Sequence, residues 1–257
     1  MERRLVLNGL LAGLAAGVVA FVYARLIGEP LLAAAIDYEG GRAAALDALS
    51  AGATGHEAVG HEHEVVSRGT QSGVGLAVGL LGFCLGLGCV YAVVFAVAHR
   101  GLRAWHPALG LASVAGLLAA AGFVAIDLVP FLRYPASPPG ASLEDTARQR
   151  GGYYLLLLIC SIALAALAVW AGRRATRRWT GSGGVAVAAG VWLVGLIVLL
   201  VAFPAIKETP GPLTNAAGAI TYPGFPAELL YDFRVYSLTL HALIWATLGG
   251  VFATLVR

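Results

Sequence analysis

Charged residues are scarce in this chain, and their scarcity excludes an ordinary soluble domain. Asp, Glu, Lys and Arg make up 12% of the 257 residues, whereas about 25% is usual for soluble globular proteins. Lysine is nearly absent: Lys207 stands against sixteen arginines, a preference typical of a GC-rich bacterial genome. Hydrophobic residues reach 59%, and the mean hydropathy is +0.80. The chain is therefore predicted to be an integral membrane protein.

Six uncharged apolar runs are each long enough to cross about 30 Å of hydrocarbon as an α-helix, at ~1.5 Å per residue. They predict a single all-α membrane domain over residues 1–257, with spans at 5–23, 74–98, 109–126, 153–171, 185–203 and 236–256. The runs do not alternate with a period of two, so barrel strands are excluded. The first run exceeds the roughly 7–15 residues of a secretory signal core, which favours a retained helix over a cleaved signal.

Signatures of several enzyme classes are missing. The chain has no GxxxxGK[ST] phosphate loop, no GxSxG nucleophile elbow and no HExxH motif. Its segments between spans are too short to fold as separate soluble domains. We therefore expect no enzyme, no tightly bound cofactor, no nucleic-acid partner, and no ATP hydrolysis by this chain itself.

Charges are divided unevenly between the two alternate sets of loops. The set that includes both termini has nine cations and one acid, whereas the other has eight cations and thirteen acids. Arginines packed beside helices are typical of cytoplasmic loops, and WAGRRATRRW at 170–179 has this density. We therefore predict a multi-pass protein of the bacterial inner membrane, with both termini in the cytoplasm and the acidic loops outside.

The outer loops repeat one order of residues. A proline follows each odd-numbered span and an arginine precedes each even-numbered one: Pro30, Pro130 and Pro204, then Arg68, Arg150 and Arg234. This order favours three repeated helical hairpins, a common plan in transporters. The alternative is that proline and arginine only mark helix ends. Residues 31–49 either form a short interfacial helix interrupted at Gly40 and Gly41 or extend the first span.

The outer loop predicted at 28–72 contains GHEAVGHEHE at 55–64, with three of the six histidines of the chain. Imidazole and carboxylate together suit divalent transition metals such as cobalt, nickel or zinc. Glycines at both ends of HEAV let the backbone fold around an ion. The candidate metal ligands are His56, His61 and His63, with Glu57, Glu62 and Glu64. The alternatives are an acidic linker and a loop that titrates near pH 6.5.

Polar side chains within the spans are costly and therefore informative. His241 lies about two turns into the last span, and Asp127 lies at the end of the third span. With Glu228 and Asp232 nearby in sequence, they form a candidate ion path: Asp127, Glu228, Asp232 and His241. The alternative is that His241 and Asp127 only form hydrogen bonds that hold helices together.

Two long segments are similar to a known family. FVAIDLVPFLRYPASPPGASLEDTARQRGGYY resembles the central signature of the CbtA family of cobalt transporter subunits, including its Ala-Arg-Gln segment at 147–149. FPAELLYDFRVYSLTLHALIWATLGGVF resembles the closing segment of the family, with Pro-Ala-Glu at 226–228. The N-terminal RRLVLNGLLAGLAAGVVAF and the histidine-bearing first loop are also similar, so the resemblance covers essentially the whole chain.

The resemblance implies a permease for cobalt uptake that works beside a small single-span CbtB-like subunit and is associated with cobalamin biosynthesis. Co²⁺ would be its substrate, with Ni²⁺ or Zn²⁺ as alternatives, and His56, His61 and His63 would capture the ion. The sequence departs from the family pattern at Asp127, where histidine is common, and in the sparser histidines of its first loop. The competing hypothesis is a membrane metal or pH sensor, or a scaffold subunit, that does not transport.

The predicted topology can be tested by labelling an engineered cysteine in the histidine-bearing loop. With Cys84, Cys89 and Cys160 replaced, an Ala58→Cys variant should react with an impermeant thiol reagent in intact cells, because position 58 is predicted to lie outside. Labelling that occurs only after lysis would invert the topology and remove the basis for capture by this loop.

Overall fold

The architecture is almost entirely helical. The computed structural model describes residues 2–54, 67–106, 108–179, 181–206 and 209–257. In chain order the helices are α1 (Glu2–Tyr23), α2 (Glu29–Thr54), α3 (Arg68–Thr70), α4 (Leu76–Trp105), α5 (Leu111–Gly122), α6 (Val129–Arg133), α7 (Glu144–Ala175), α8 (Gly181–Ala202) and α9 (Ala227–Leu255). Three π-helical segments, π1 (Ala24–Gly28), π2 (Gln71–Gly75) and π3 (Phe123–Leu128), join α1 to α2, α3 to α4 and α5 to α6.

The prediction of six membrane-spanning helices is confirmed. In the part of the chain that the structure describes, six helical segments are long and apolar enough to cross a membrane: Arg3–Ala51, Arg68–Arg103, Leu111–Arg133, Asp145–Ala175, Gly181–Ala202 and Ala227–Leu255. An even number of crossings places both termini at one end of the bundle, where Asn8 Nδ2 donates to the Leu255 carbonyl at 3.1 Å. This end is called the terminal end below, and the opposite one the distal end.

The first helix is much longer than its predicted span. Residues 29–54 continue the helix without interruption at Gly40 or Gly41. Of the two alternatives for residues 31–49 in the outer loop predicted at 28–72, the structure therefore has the extension of the first span. The helical segment of 49 residues is about 74 Å long at ~1.5 Å per residue, more than twice the roughly 30 Å of hydrocarbon. Its charged distal part therefore projects beyond the bilayer. The alanines of α2 favour this outcome, because alanine is the best helix former.

Two prolines that follow predicted spans in the sequence lie inside helices. Proline removes a backbone donor and clashes with the carbonyl four residues earlier. In this fold a π-helical turn precedes each proline: the Glu29 N–H binds the Ala24 carbonyl, and the Val129 N–H binds the Val124 carbonyl, in both cases five residues back. The wider turn lets the helix continue past Pro30 and Pro130. The third helix accordingly ends at Arg133 and not at 126.

The bundle is organised by close contact between α1 and α4. Residues 9–17 carry glycine at every fourth position, and a methyl group at Gly9 or Gly13 would overlap a backbone carbonyl of α4, at Gly88 or Cys84. Small residues let helix backbones approach closely in a membrane, where burial of apolar surface does not drive helices together. Helix α9 packs against both α1 and α5, and Phe252 from α9 is fully buried against Tyr91 and Phe95 of α4.

The remaining elements attach at the periphery. Helices α7 and α8 form an antiparallel pair that joins the bundle through π3 and α6, with Leu157 and Phe203 in a shared apolar cluster. Beyond the distal end, strands β1 (Leu213–Thr214) and β2 (Ile220–Tyr222) pair in antiparallel register, with Leu213 opposite Tyr222. The projecting helix α2 binds this hairpin region: the Arg42 guanidinium donates to the Gly211 carbonyl at 2.8 Å.

The α1–α4 contact predicts different effects for two glycines of the same helix. A Gly88→Ala substitution should destabilise the protein by about 1–3 kcal/mol, the usual cost of overpacking, because the new methyl group would overlap the Gly9 carbonyl. Gly86→Ala is the matched control, since nothing lies within 4 Å of its Cβ position. Thermal unfolding in detergent measures both, and equal melting temperatures for the two variants would contradict the contact.

Candidate ion-binding site

Asp127 lies in the π-helical turn near the distal end of the third membrane helix. Single π-helical turns are frequent at functional sites, because the extra residue changes the direction of the side chains around it. Here the turn is also required by Pro130, three residues later. The Asp127 side chain is 11% exposed, so its carboxylate needs partners within the protein.

Two side chains of α9 bind both oxygens of this carboxylate. His241 Nδ1 is 2.6 Å from Oδ1, and Trp245 Nε1 donates to Oδ2 at 2.5 Å. His241 and Trp245 are four residues apart and therefore lie on one face of the helix. The sequence prediction that placed Asp127 and His241 together on one path is consistent with this geometry, which joins the third and sixth membrane helices.

The contact with Asp127 determines which nitrogen of His241 is available. A neutral imidazole that donates from Nδ1 to a carboxylate retains its lone pair on Nε2. Among the described residues Nε2 has no hydrogen-bond partner, and the side chain is 41% exposed. Histidines that bind metals are commonly oriented by a carboxylate in this way. The pair can therefore present one nitrogen ligand, with a negative charge behind it.

A cavity of about 470 Å³ opens beside the pair. Its walls include Tyr154 and Arg150 from α7, Ser237 from α9, and the loop that follows α6. Arg234 Nε donates to the Ala136 carbonyl of that loop at 3.4 Å. The volume is sufficient for a hydrated cation, and hydroxyl groups lie within the same walls.

Tyr134 fixes the loop side of this cavity. It is 5% exposed, and its hydroxyl donates to the Pro204 carbonyl at 2.9 Å. Burial raises the pKa of Tyr134, an effect only partly opposed by the neighbouring Arg133 guanidinium. The phenol therefore stays protonated and keeps its role as a donor, which ties the loop to the end of α8.

Glu228 and Asp232 lie elsewhere. Both are exposed, and neither lines the cavity. They precede His241 by thirteen and nine residues, which places them roughly 140° and 180° around a helix of ~3.6 residues per turn. Glu228 lies in the first turn of α9, where a carboxylate stabilises the helix dipole. The structure thus brings together two of the four residues of the predicted path.

The predicted capture residues His56, His61, His63, Glu57, Glu62 and Glu64 lie outside the described residues. Within the described ranges no group of three or more His, Cys, Asp or Glu side chains could hold a metal ion. The site described here therefore provides a pair of polar groups and not a closed metal cage.

Trp245 is the site residue that the sequence analysis missed. Its spacing of four from His241 is the signal that identifies it, because this spacing puts two side chains on one helix face. Tryptophan in membrane helices is commonly interfacial, yet Trp245 is 6% exposed within the bundle. Its ring occupies the space left by Gly122, where a side chain would overlap it.

The hydrogen bond from Trp245 to Asp127 predicts a stability change that depends on both residues. Trp245→Phe should destabilise the protein by about 1–3 kcal/mol, because it leaves a poorly exposed carboxylate oxygen without its donor. The same substitution should cost clearly less in an Asp127→Ala background. Thermal unfolding of the four proteins gives the coupling free energy between the two residues. Equal losses of stability in both backgrounds would show that Trp245 contributes by packing alone and not through this hydrogen bond. Trp179→Phe, at a position 63% exposed, is the control.

Comparison with known proteins identifies a family for this chain. A family described as "Probable cobalt transporter subunit (CbtA)" matches residues 2–257, essentially the whole chain. No curated protein and no solved structure matches significantly. The family confirms the resemblance noted in the sequence, and with the six helices it describes a multi-pass membrane protein of cobalt transport. The chain belongs to the CbtA family of cobalt transporter subunits.

Proposed function

We propose that this chain is the permease subunit of a cobalt uptake system, and that Asp127 and His241 form a relay site for the ion. One observation carries the proposal: a carboxylate–imidazole pair with a 2.6 Å contact lines a cavity in a chain whose family is that of cobalt transporter subunits. In this proposal the distal end faces the outside of the bacterial inner membrane, and both termini lie in the cytoplasm.

The chemistry of the pair suits a passing ion. Imidazole nitrogen is a good ligand for Co²⁺, so His241 Nε2 would replace one water of a hydrated ion. The Asp127 charge would stabilise the cation and hold the imidazole in the required tautomer. Conduction requires a site that binds strongly enough to admit an ion and weakly enough to release it. A pair that leaves most of the hydration shell in place meets this requirement.

Capture would occur before the relay site. The loop histidines His56, His61 and His63 would bind Co²⁺ reversibly, while Glu57, Glu62 and Glu64 raise its local concentration. This step rests on the sequence alone. Helix α2 extends to Thr54, the residue before this segment in the chain.

The membrane potential would supply the energy. A divalent cation gains about 4.6 kcal/mol at 100 mV, negative inside, which corresponds to roughly 2000-fold accumulation. No ATP hydrolysis by the chain is required. The word subunit in the family description implies a partner, and we propose that the partner is a small single-span protein of the CbtB type.

Uptake of radioactive cobalt by cells expressing the chain tests the proposal, with and without the single-span partner. Asp127→Asn should raise the half-saturating cobalt concentration about 10- to 100-fold, the usual cost of removing a group that orients a metal-binding histidine. His241→Gln should lower uptake at least as much.

Replacing the three loop histidines with alanine should raise the half-saturating concentration and leave maximal uptake largely intact.

Asp232→Asn is the matched control, because it removes an acid from the same helix but outside the cavity. Its half-saturating cobalt concentration should equal that of the unmodified chain. An increase as large as that for Asp127→Asn would show that Asp232 also belongs to the ion path. If cells that express the unmodified chain accumulate no cobalt, either with or without the partner, the transport hypothesis is wrong. A sensor or scaffold then becomes the better hypothesis.

A further inference from the structure

A second, larger cavity lies between α4, the third membrane helix and α7. Its volume is about 970 Å³, and it extends from Trp245 at one end to the arginines that end α7 at the other. It is distinct from the cavity beside Asp127. Trp245, which lines this cavity, donates to Asp127, which lines the other.

The walls of this cleft are apolar. Val90 and Val94 of α4 face Ile162 and Val169 of α7 across it, and all four side chains are substantially exposed. Alanines on α5 and α7 widen the gap between the helices. The cleft is thus a hydrophobic space that the described residues leave unfilled.

Three arginines form the mouth of the cleft: Arg173, Arg174 and Arg177. The Arg174 guanidinium carbon is 6.0 Å from the centre of the Trp170 ring, and the Arg173 guanidinium lies against Gly101 of α4, 2.9 Å from its Cβ position. Arg173 therefore reaches across the mouth from α7 to α4. In the described ranges, none of these three forms a salt bridge with a carboxylate.

This combination restricts the occupant. Three positive charges at the mouth and apolar walls disfavour a divalent cation, so the cleft does not continue the proposed ion path. A molecule with a hydrocarbon chain and an anionic head matches both the walls and the mouth. Basic pockets between membrane helices bind acidic lipid head groups in this manner.

We propose that the cleft binds an acidic phospholipid, with an acyl chain between α4 and α7 and its phosphate at Arg173, Arg174 and Arg177. The site is independent of the proposed cobalt path, because it uses other residues and requires no metal. A bound lipid would fill the gap between the α7–α8 pair and the rest of the bundle. Lipid occupancy would then stabilise the position of α7, which also contributes a wall of the Asp127 cavity.

Quenching of tryptophan fluorescence by brominated lipids tests this site, since Trp105, Trp170 and Trp245 line the cleft. Trp179 and Trp192 are first replaced by Phe to remove signal from outside it. Phosphatidylglycerol with brominated chains, titrated into the protein in phosphatidylcholine nanodiscs, should quench at a much lower mole fraction than brominated phosphatidylcholine with the same chains. Soluble glycerol phosphate should not reverse the effect, because the acyl chain contributes to binding.

The substitutions Arg173→Gln, Arg174→Gln and Arg177→Gln together should weaken the apparent affinity for phosphatidylglycerol about 100-fold, since each basic residue near an anionic lipid is worth roughly fivefold. The matched control is the double substitution Arg100→Gln with Arg103→Gln, at the same end of the bundle but outside the cleft lining. It should change the apparent affinity for phosphatidylglycerol little. Equal quenching by the two brominated lipids, or an equal loss in the control, would overturn the proposal. The proposal would also be overturned if addition of a second subunit abolished the quenching by brominated lipid, because a protein helix would then occupy the cleft.

Discussion

The fold depends on the close approach of two backbones, at the contact between glycines of α1 and α4. Because Gly9, Gly13 and Gly88 have no side chains, α1 lies deep against α4, and α9 can pack on α1 and α5 together. A glycine also allows the α5–α9 contact, since a methyl group at Gly249 would overlap the Ala119 side chain. This packing determines the distance between Asp127 and the side chains of α9. A polar pair in the membrane is thus positioned by residues that have no polar chemistry.

The two cavities differ in the chemistry of their walls. The one beside Asp127 offers a carboxylate, an imidazole and hydroxyl groups together with Arg150, and the other offers apolar walls and three arginines. Trp245 connects the two regions, because its indole nitrogen donates to Asp127, which lines the smaller cavity, and its ring lines the larger cleft. Among the described residues, the lining of the larger cleft has no carboxylate or imidazole. The polar lining of the Asp127 cavity therefore does not continue into the cleft.

The sequence predicted the spans and two of the site residues because both depend on local chemistry. Apolar runs of sufficient length specify membrane helices, and the cost of burying a polar group in lipid identified Asp127 and His241. Trp245 is 118 residues from Asp127, and their contact depends on how helices pack, which local patterns do not encode. Glu228 and Asp232 lie near His241 in sequence, but helical rotation places them on another face of α9. The sequence left open whether residues 31–49 extend the first span, because proline normally ends a helix and the π-helical turn before Pro30 has no recognisable sequence signal.

The two π-helical turns before prolines allow a direct comparison of two acids. Glu29 follows π1 and Asp127 lies within π3, and their side chains are 12% and 11% exposed. Glu29 pairs with the Arg68 guanidinium at 3.3 Å, a group that remains protonated in proteins, so its charge is already neutralised. Asp127 instead accepts hydrogen bonds from the His241 imidazole and the Trp245 indole. Two acids with similar burial and backbone setting therefore have partners of different chemistry, a guanidinium for Glu29 and two aromatic N–H groups of one helix for Asp127.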